Sequence, residues 1–204
     1  MDKINNITPD YIKKDYTVFM DWCKANGVLC FSGSETDVLD RFVKAAENSS
    51  VDQIIRVCSD NPFLSVSAMR QLIHRAKESK ADYVGFDVFG RPSILTHYGF
   101  WAEYVRLDAL KKVQEFTQEK LYHEHVTNYV YSHPEDFSLE WISSSLERED
   151  RIRLTIDTMK DFQSAQNVYE ALGFDADIPE IMAYVHGRTD LLASMSQEID
   201  KNSK

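Results

Sequence analysis

Short apolar runs alternate with helical patterns as far as residue 86, and this alternation limits the possible folds more than any other feature of the chain. Three runs have the length of buried strands: 28–31, 53–58 and 83–86. Apolar residues at helical spacing precede each of them, at 9–26, 38–46 and 67–80. Strands that alternate with helices favour a mostly parallel sheet with helices on both faces. The sequence therefore predicts an α/β fold.

Both patterns continue through the second half of the chain. Further strands are predicted at 102–106, 137–142 and 151–156. Further helices are predicted at 107–118, 120–132 and 159–172, and two short helical patterns follow at 178–186 and 190–199. No internal repeat is visible. We expect one α/β domain over residues 1–174, followed by a helical extension over 175–204.

Net charge and composition limit which partners and which cellular compartment we expect. The chain has 23 Lys and Arg against 33 Asp and Glu, a net charge of −10. Binding to nucleic-acid phosphates needs a basic face, so we expect no nucleic acid partner. No stretch reaches the roughly 20 apolar residues of a membrane span, and the start lacks a signal-peptide core. Three cysteines lie far apart among apolar residues, which favours a reducing, cytoplasmic setting over a zinc site or disulfides.

Several common catalytic motifs are excluded by the spacing of glycines and histidines. None of the seven glycines lies within four residues of another, which rules out a dinucleotide-binding fingerprint. Ser34 has no G-x-S-x-G context, so a hydrolase triad is not expected. His123 and His125 lie two residues apart on a predicted helix and therefore point to different faces, unlike a metal-binding i, i+4 pair. Apart from His125, the histidines are expected at the surface or at helix caps.

Polar turns that follow strands are the first places to look for ligand contacts in such a sheet. The turn at 33–41 has two interpretations. In one, Ser34 or Thr36 caps the next helix and Arg41 lies in solvent. In the other, Ser34 and nearby backbone N–H groups contact a ribose or base, with Arg41 close to phosphate. The residues alone leave both open.

Two aspartates follow the predicted strands at 53–58 and 151–156. Asp60 either holds Mg²⁺, which prefers oxygen ligands, or bonds its own backbone in an Asp-Asn-Pro turn. Thr158 and Asp161 have the spacing of a capping box, which leaves Asp157 without a structural role. Two carboxylates at two strand ends could share a metal ion.

Four ordered segments resemble the cytidylyltransferases of the spore-coat polysaccharide type, relatives of the acylneuraminate and ketodeoxyoctonate cytidylyltransferases. These segments are 31–42 (FSGSETDVLDRF), 55–62 (IRVCSDNP), 124–131 (EHVTNYVY) and 153–162 (RLTIDTMKDF). The resemblance covers most of the chain from about residue 22. It implies the Rossmann-like nucleotide-diphosphosugar transferase fold and a nucleotidyltransferase activity that joins CMP from CTP to a sugar acid, with release of pyrophosphate.

The resemblance also implies roles for particular residues. Asp60 and Asp157 would form the catalytic metal site and hold the Mg²⁺ that bridges the CTP phosphates. The nucleotide side would comprise four residues: Gly33, Ser34, Asp37 and Arg41. The sugar side would comprise three: Glu103, Glu124 and His125.

The start of the chain departs from the family pattern. Family members open with a strand and a loop of small and basic residues that grips the triphosphate, whereas this chain opens on a helix. We therefore expect a sheet that lacks its first strand or strands, and a homodimer with the C-terminal helices as candidate interface. Catalysis by the chain alone is in question. The alternatives are a non-catalytic sugar- or partner-binding protein that pairs with a complete enzyme, or a sequence that continues upstream of Met1.

Overall fold

The structure is a computed structural model that describes residues 16–201. In that range the helices are α1 (Tyr16–Ala25), α2 (Val38–Asn48), α3 (Val66–Glu78), α4 (Leu107–Phe116), α5 (Lys120–Glu124), α6 (Asn128–Ser132), α7 (Met159–Leu172), α8 (Ile178–His186) and α9 (Thr189–Lys201). The strands are β1 (Gln53–Arg56), β2 (Tyr83–Val88), β3 (Arg91–Pro92), β4 (Glu103–Arg106) and β5 (Leu139–Ser143). A 3₁₀ turn, Ser93–Leu95, follows β3.

The strands form one mixed sheet in the order β1-β4-β2-β3, and β5 also pairs with β2. Strands β2 and β3 are antiparallel, with Val88 opposite Arg91. The tight turn between them places Phe89 and Gly90 at φ of 53° and 83°, the left-handed geometry that two-residue hairpins use. Asp87 stabilises this turn because its carboxylate accepts the Gly90 N–H at 3.1 Å. The α/β class is confirmed.

The chain divides into two compact units. Unit 1 contains residues up to Ile54 together with Val105–Leu139, and unit 2 contains Ile55–Tyr104 together with the residues from Glu140 onward. Helices α8 and α9 belong to unit 2. The expected boundary at residue 174 stays a prediction.

Unit 1 is built around α2, which contacts α4 and α5. Apolar residues at helical spacing on α2, including Leu39 and Val43, are buried, and so are Leu110 and Val113 of α4. Asp37 caps the start of α2 by accepting the Asp40 N–H at 2.9 Å. The apolar stripe and this cap explain why residues 38–48 form a helix and where that helix begins.

Unit 2 has its own apolar core. Side chains of β2 such as Val84 and Phe86 are buried there with residues from α3, α7, α8 and α9. Helix α7 contacts both α8 and α9, and α3 contacts β2. Helix α8 begins at a capping box formed by Asp177 and Glu180, with Pro179 in the first turn. These contacts pack α7 against the other helices of unit 2.

Three secondary-structure predictions are wrong. Residues 28–31 form no strand, since Leu29 and Cys30 are exposed rather than buried. Residues 151–156 form no strand either, because Leu154 and Thr155 both donate to the carbonyl of His97 rather than to a ladder. The single helix predicted at 120–132 is the pair α5 and α6, interrupted at 125–127. The first part of the helix predicted at 9–26 lies outside the described residues.

Candidate functional site

The turns that carry Asp60 and Asp157 lie side by side in unit 2. The Asn61 N–H donates to the Cys58 carbonyl at 3.2 Å and shapes the first turn just after β1. The Ile156 N–H then donates to the carbonyl of Asp60 at 2.9 Å. Because Asp157 follows Ile156 directly, this bond brings the two segments together. The half-buried Asp60 makes no side-chain hydrogen bond or ion pair with the residues that the structure describes.

Asp157 is held by Arg153, a residue to which the sequence assigned no contact. The Arg153 side chain is 1% exposed, and its Nη2 donates to Asp157 Oδ2 at 2.7 Å. Its Nε and Nη2 donate to the two carboxylate oxygens of Asp161 at 2.8 and 3.1 Å. Its Nη1 donates to His97 Nδ1 at 3.0 Å. Arg153 therefore links the aspartate turn to the segment that contains His97.

Asp161 has the capping role that its spacing predicted. Its carboxylate accepts the N–H groups of Asp157 and Thr158 at 3.0 and 2.9 Å, and Thr158 Oγ1 accepts the Asp161 N–H. Burial would raise the pKa of Asp161, but the hydrogen bonds from Arg153 and from these backbone groups outweigh it and lower that pKa. Asp161 is therefore held ionised at the start of α7.

Gly99 lies against both turns, in a backbone conformation that favours glycine. Its φ is +68°, and a Cβ built there would lie 3.2 Å from Asn61 Oδ1 and 3.3 Å from Thr155 Cγ2. The buried hydroxyl of Thr155 makes no hydrogen bond within the described part of the chain. The backbone at Gly99 is thus packed closely against Asn61 and Thr155, which lie next to the turns of Asp60 and Asp157.

Glu103, expected on the sugar side, is buried in β4. Its Oε2 accepts from Arg56 Nη1 at 2.6 Å, and its Oε1 accepts from the Tyr83 hydroxyl at 2.5 Å. Burial would lower the pKa of Arg56, but the Glu103 carboxylate outweighs it and raises that pKa. Both oxygens of Glu103 thus have partners inside the protein, and contact with a sugar stays a prediction.

The turn at 33–41 in unit 1 caps α2, but through Asp37 rather than through Ser34 or Thr36. Asp37 is the helix cap, while Ser34 Oγ accepts the Asp37 N–H at 3.0 Å. The solvated position considered for Arg41 is wrong, since Arg41 is 6% exposed and its Nη1 donates to the Ser34 carbonyl at 2.7 Å. A Cβ at Gly33 would lie 3.0 Å from Arg41 Cγ. Contact of these four residues with a nucleotide stays a prediction.

His123 holds this turn in place, although the sequence suggested only a surface or cap position. Its Nδ1 lies 2.8 Å from Asp37 Oδ2 and its Nε2 lies 3.0 Å from the Thr117 carbonyl. Both partners are acceptors, so the geometry favours the doubly protonated ring. Burial would lower the pKa of His123, but the bonds to Thr117 and Asp37 outweigh it and raise that pKa. The 86 residues between Asp37 and His123 hid this pair from sequence reasoning.

Glu124 and His125 lie at the end of α5 and are exposed. Their contact with a sugar stays a prediction. Within residues 16–201, no three or more His, Cys, Asp or Glu side chains are grouped closely enough to hold a metal ion. No helix in the same range is both long and apolar enough to cross a membrane.

The structure thus shows an α/β protein with a candidate site in its polar turns, and sequence comparison identifies the family. The sequence model of the cytidylyltransferase family matches residues 11–187. The chain therefore belongs to the cytidylyltransferase family, and the family resemblance inferred from its four segments is confirmed.

Two relatives match most of this chain and a smaller share of their own length. An uncharacterised protein of Methanocaldococcus jannaschii is 38% identical over 154 residues, which are 74% of this chain and 60% of that protein. The spore coat polysaccharide biosynthesis protein SpsF of Bacillus subtilis is 30% identical over 179 residues, 87% of this chain and 72% of SpsF. The chain thus spans less than two thirds of the length of the archaeal relative.

A solved structure shares the fold. A cytidylyltransferase from Leptospira borgpetersenii superposes with a TM-score of 0.78 at 21% sequence identity, over 91% of this chain and 76% of that one. The predicted nucleotidyltransferase fold is confirmed by this likeness.

Proposed function

We propose that the chain is a cytidylyltransferase that transfers CMP from CTP to a sugar acid during synthesis of a surface polysaccharide. Family membership supports the transfer of a cytidylyl group. The similarity to SpsF, whose name refers to spore coat polysaccharide, supports the pathway. The observation that carries the proposal is the hydrogen bond from Ile156 N to Asp60 O, which sets the turns of the two aspartates beside each other.

Asp60 and Asp157 fit a magnesium ion by their chemistry. Asp60 makes no side-chain ion pair with residues 16–201, and Asp157 is 37% exposed with one oxygen on Arg153. Mg²⁺ usually takes one or two carboxylates and fills its remaining positions with substrate phosphates and water. When bound, it would polarise the phosphate under attack and offset the charge that develops there.

The remaining predicted residues divide between nucleotide and sugar. Ser34, Asp37 and Arg41 form one hydrogen-bonded turn, and Arg41 supplies a fixed positive charge that suits a phosphate or the polar edge of a nucleoside. The exposed side chains of Glu124 and His125 are accessible to a sugar.

The proposed reaction is a single displacement at the α-phosphorus of CTP. The anomeric hydroxyl oxygen of the sugar acid forms a bond to that phosphorus, and the bond to the oxygen that bridges to the β-phosphorus breaks. Pyrophosphate leaves, and the hydroxyl proton passes to water. The chain binds and orients the reactants, since positioning and charge stabilisation account for most catalysis of phosphoryl transfer.

Calorimetry with CTP and Mg²⁺ tests the proposal directly. We expect heat of binding for the unaltered chain and loss of that heat in Asp60→Asn and Asp157→Asn. Asp200→Asn is the matched control, because Asp200 is an exposed aspartate of α9 that pairs with Arg151. Absence of heat at millimolar CTP and Mg²⁺ would contradict the proposal.

Turnover separates catalysis from binding alone. Pyrophosphate release is measured with N-acetylneuraminate or ketodeoxyoctonate as the sugar acid. Release that depends on Asp60 supports the enzyme. Binding of CTP without release with either sugar acid would instead favour the non-catalytic protein that pairs with a complete enzyme.

We also propose a homodimer in which the region of α8 takes part. Phe174, just before α8, is 90% exposed. Contact with a second copy would remove the surface of this large apolar side chain from water. Light scattering should give twice the chain mass of 23.6 kDa, and Phe174→Ser should increase the monomer fraction. Val66→Ser, at another exposed apolar residue in α3, is the control.

A further inference from the structure

The carboxylate of Asp161 holds Asp157 at two points. Asp161, which is 4% exposed, accepts the backbone N–H of Asp157. Asp161 also grips the guanidinium of Arg153 with both oxygens, and that guanidinium holds the Asp157 side chain. Because the guanidinium is planar and its donors form a rigid fork, a two-point contact fixes its orientation. The position of Asp157 Oδ2 is therefore set by the cap of α7.

The same guanidinium also fixes the segment before Gly99. Arg153 Nη1 donates to His97 Nδ1, and the His97 carbonyl accepts from the N–H groups of Leu154 and Thr155 at 2.8 and 3.3 Å. Side-chain and backbone bonds thus join the two segments at the same place. A displacement of Arg153 would disturb both of them together.

We infer that Arg153 is a positioning residue that keeps Asp157 from binding a free divalent cation and lets it bind one together with the nucleotide phosphates. The inference rests on the proposed function, which places Mg²⁺ and CTP beside Asp60 and Asp157. It adds that the cation and the nucleotide bind together as one complex, rather than the cation first.

The physical reason is that Arg153 already occupies one oxygen of Asp157. Asp157 Oδ2 accepts from the guanidinium at 2.7 Å, and the charge of that guanidinium is shared with the buried carboxylate of Asp161. A cation at Asp157 would therefore gain only the other oxygen as a ligand. The phosphates of CTP supply the further oxygen ligands that such a cation needs. Asp157 therefore favours the cation–nucleotide complex over the cation alone.

Mn²⁺ binding followed by electron paramagnetic resonance, with and without CTP, tests this inference. The test variant carries Arg153→Gln and Asp161→Asn together, so that one positive and one negative charge are removed and no buried charge loses its only partner. Without nucleotide, we expect its Mn²⁺ affinity to rise about tenfold, because both oxygens of Asp157 then become available to the cation. We expect its kcat to fall about 10- to 100-fold, because Asp157 is no longer oriented.

Two further variants complete the experiment. Arg153→Lys keeps the charge but loses the fork, so it should show smaller changes in both Mn²⁺ affinity and kcat, and it carries the test if the double variant does not fold. Arg151→Lys is the matched control, since Arg151 is an exposed arginine nearby in sequence that pairs with Asp200 and Ser196. It should leave nucleotide-free Mn²⁺ binding unchanged.

The outcomes separate the inference from the proposed function. If the unaltered chain binds Mn²⁺ only with CTP and the double variant binds it alone, the inference is supported. If nucleotide-free Mn²⁺ affinity is unchanged or weaker in the Arg153 variants, the inference is overturned and the proposed function stands. A lower melting temperature with no change in Mn²⁺ affinity would show a purely structural role for Arg153. If the unaltered chain binds no Mn²⁺ even with CTP, the proposed function itself fails.

Discussion

Replacement of Glu103 by Gln separates a structural role of this residue from a role in sugar binding. The Glu103 side chain is 2% exposed and that of Arg56 is 15% exposed, with 2.6 Å between Oε2 and Nη1. Removal of one partner from a buried ion pair typically costs about 3–5 kcal/mol, because the other charge stays buried without compensation. Arg56 retains some contact with water and Gln can still accept a hydrogen bond, so we expect the lower end, about 3 kcal/mol.

The assay is thermal unfolding followed by circular dichroism. For a protein of this size, 1 kcal/mol corresponds to roughly 2–4 °C, so Glu103→Gln should lower the melting temperature by about 6–12 °C. Glu47→Gln is the matched control, because Glu47 pairs with Lys111 at 2.7 Å at the exposed surface, where water screens the charges. Its melting temperature should hardly change. An unchanged melting temperature in Glu103→Gln, together with a raised KM for the sugar acid, would refute the structural argument and restore Glu103 to the substrate site.

Two further predictions concern the turns of the candidate site. His123 has a folded pKa above its ordinary value, so its stabilising contribution is complete below about pH 6.5 and is lost as pH rises through the raised pKa. The free energy of unfolding in urea, measured between about pH 6 and 9, should show this loss in the native chain and not in His123→Gln. The same pH dependence in both proteins would contradict the raised pKa of His123. Gly99→Ala should destabilise the chain more than Gly27→Ala, because both glycines have φ of +68° but only Gly99 has neighbours within 4 Å. Equal losses in urea unfolding would show that the contacts of Gly99 with Asn61 and Thr155 carry no strain.

Short-range features of this chain could be predicted from its sequence. Helices α7 and α8 have the predicted bounds, and the Thr158–Asp161 capping box is present as expected. A helical stripe and a cap both depend on residues a few positions apart, so a single sequence contains the information that they need. The strand predicted at 28–31 failed because apolar character does not show whether a segment is buried, and Leu29 is 53% exposed.

The partners of the site residues could not be predicted in this way. The bonds from Arg153 to His97 and from His123 to Asp37 cross 56 and 86 residues of sequence. No periodicity connects positions that far apart, and only the fold brings them together. The spacing of Thr158 and Asp161 predicted a helix cap in which Asp157 takes no part. In the structure, Asp161 of that cap binds Arg153, and Arg153 in turn holds Asp157.

The two aspartates of the candidate metal site therefore stand in unlike environments, although the sequence treated them as equivalent strand-end carboxylates. Asp157 is oriented and partly neutralised by a buried cation, while the Asp60 side chain forms no ion pair with residues 16–201. A carboxylate without a counter-charge attracts a cation more strongly than one already paired. In the proposed site, Asp60 would thus supply most of the attraction for a metal ion. Asp157 would supply a fixed direction, which matters once the phosphates are present.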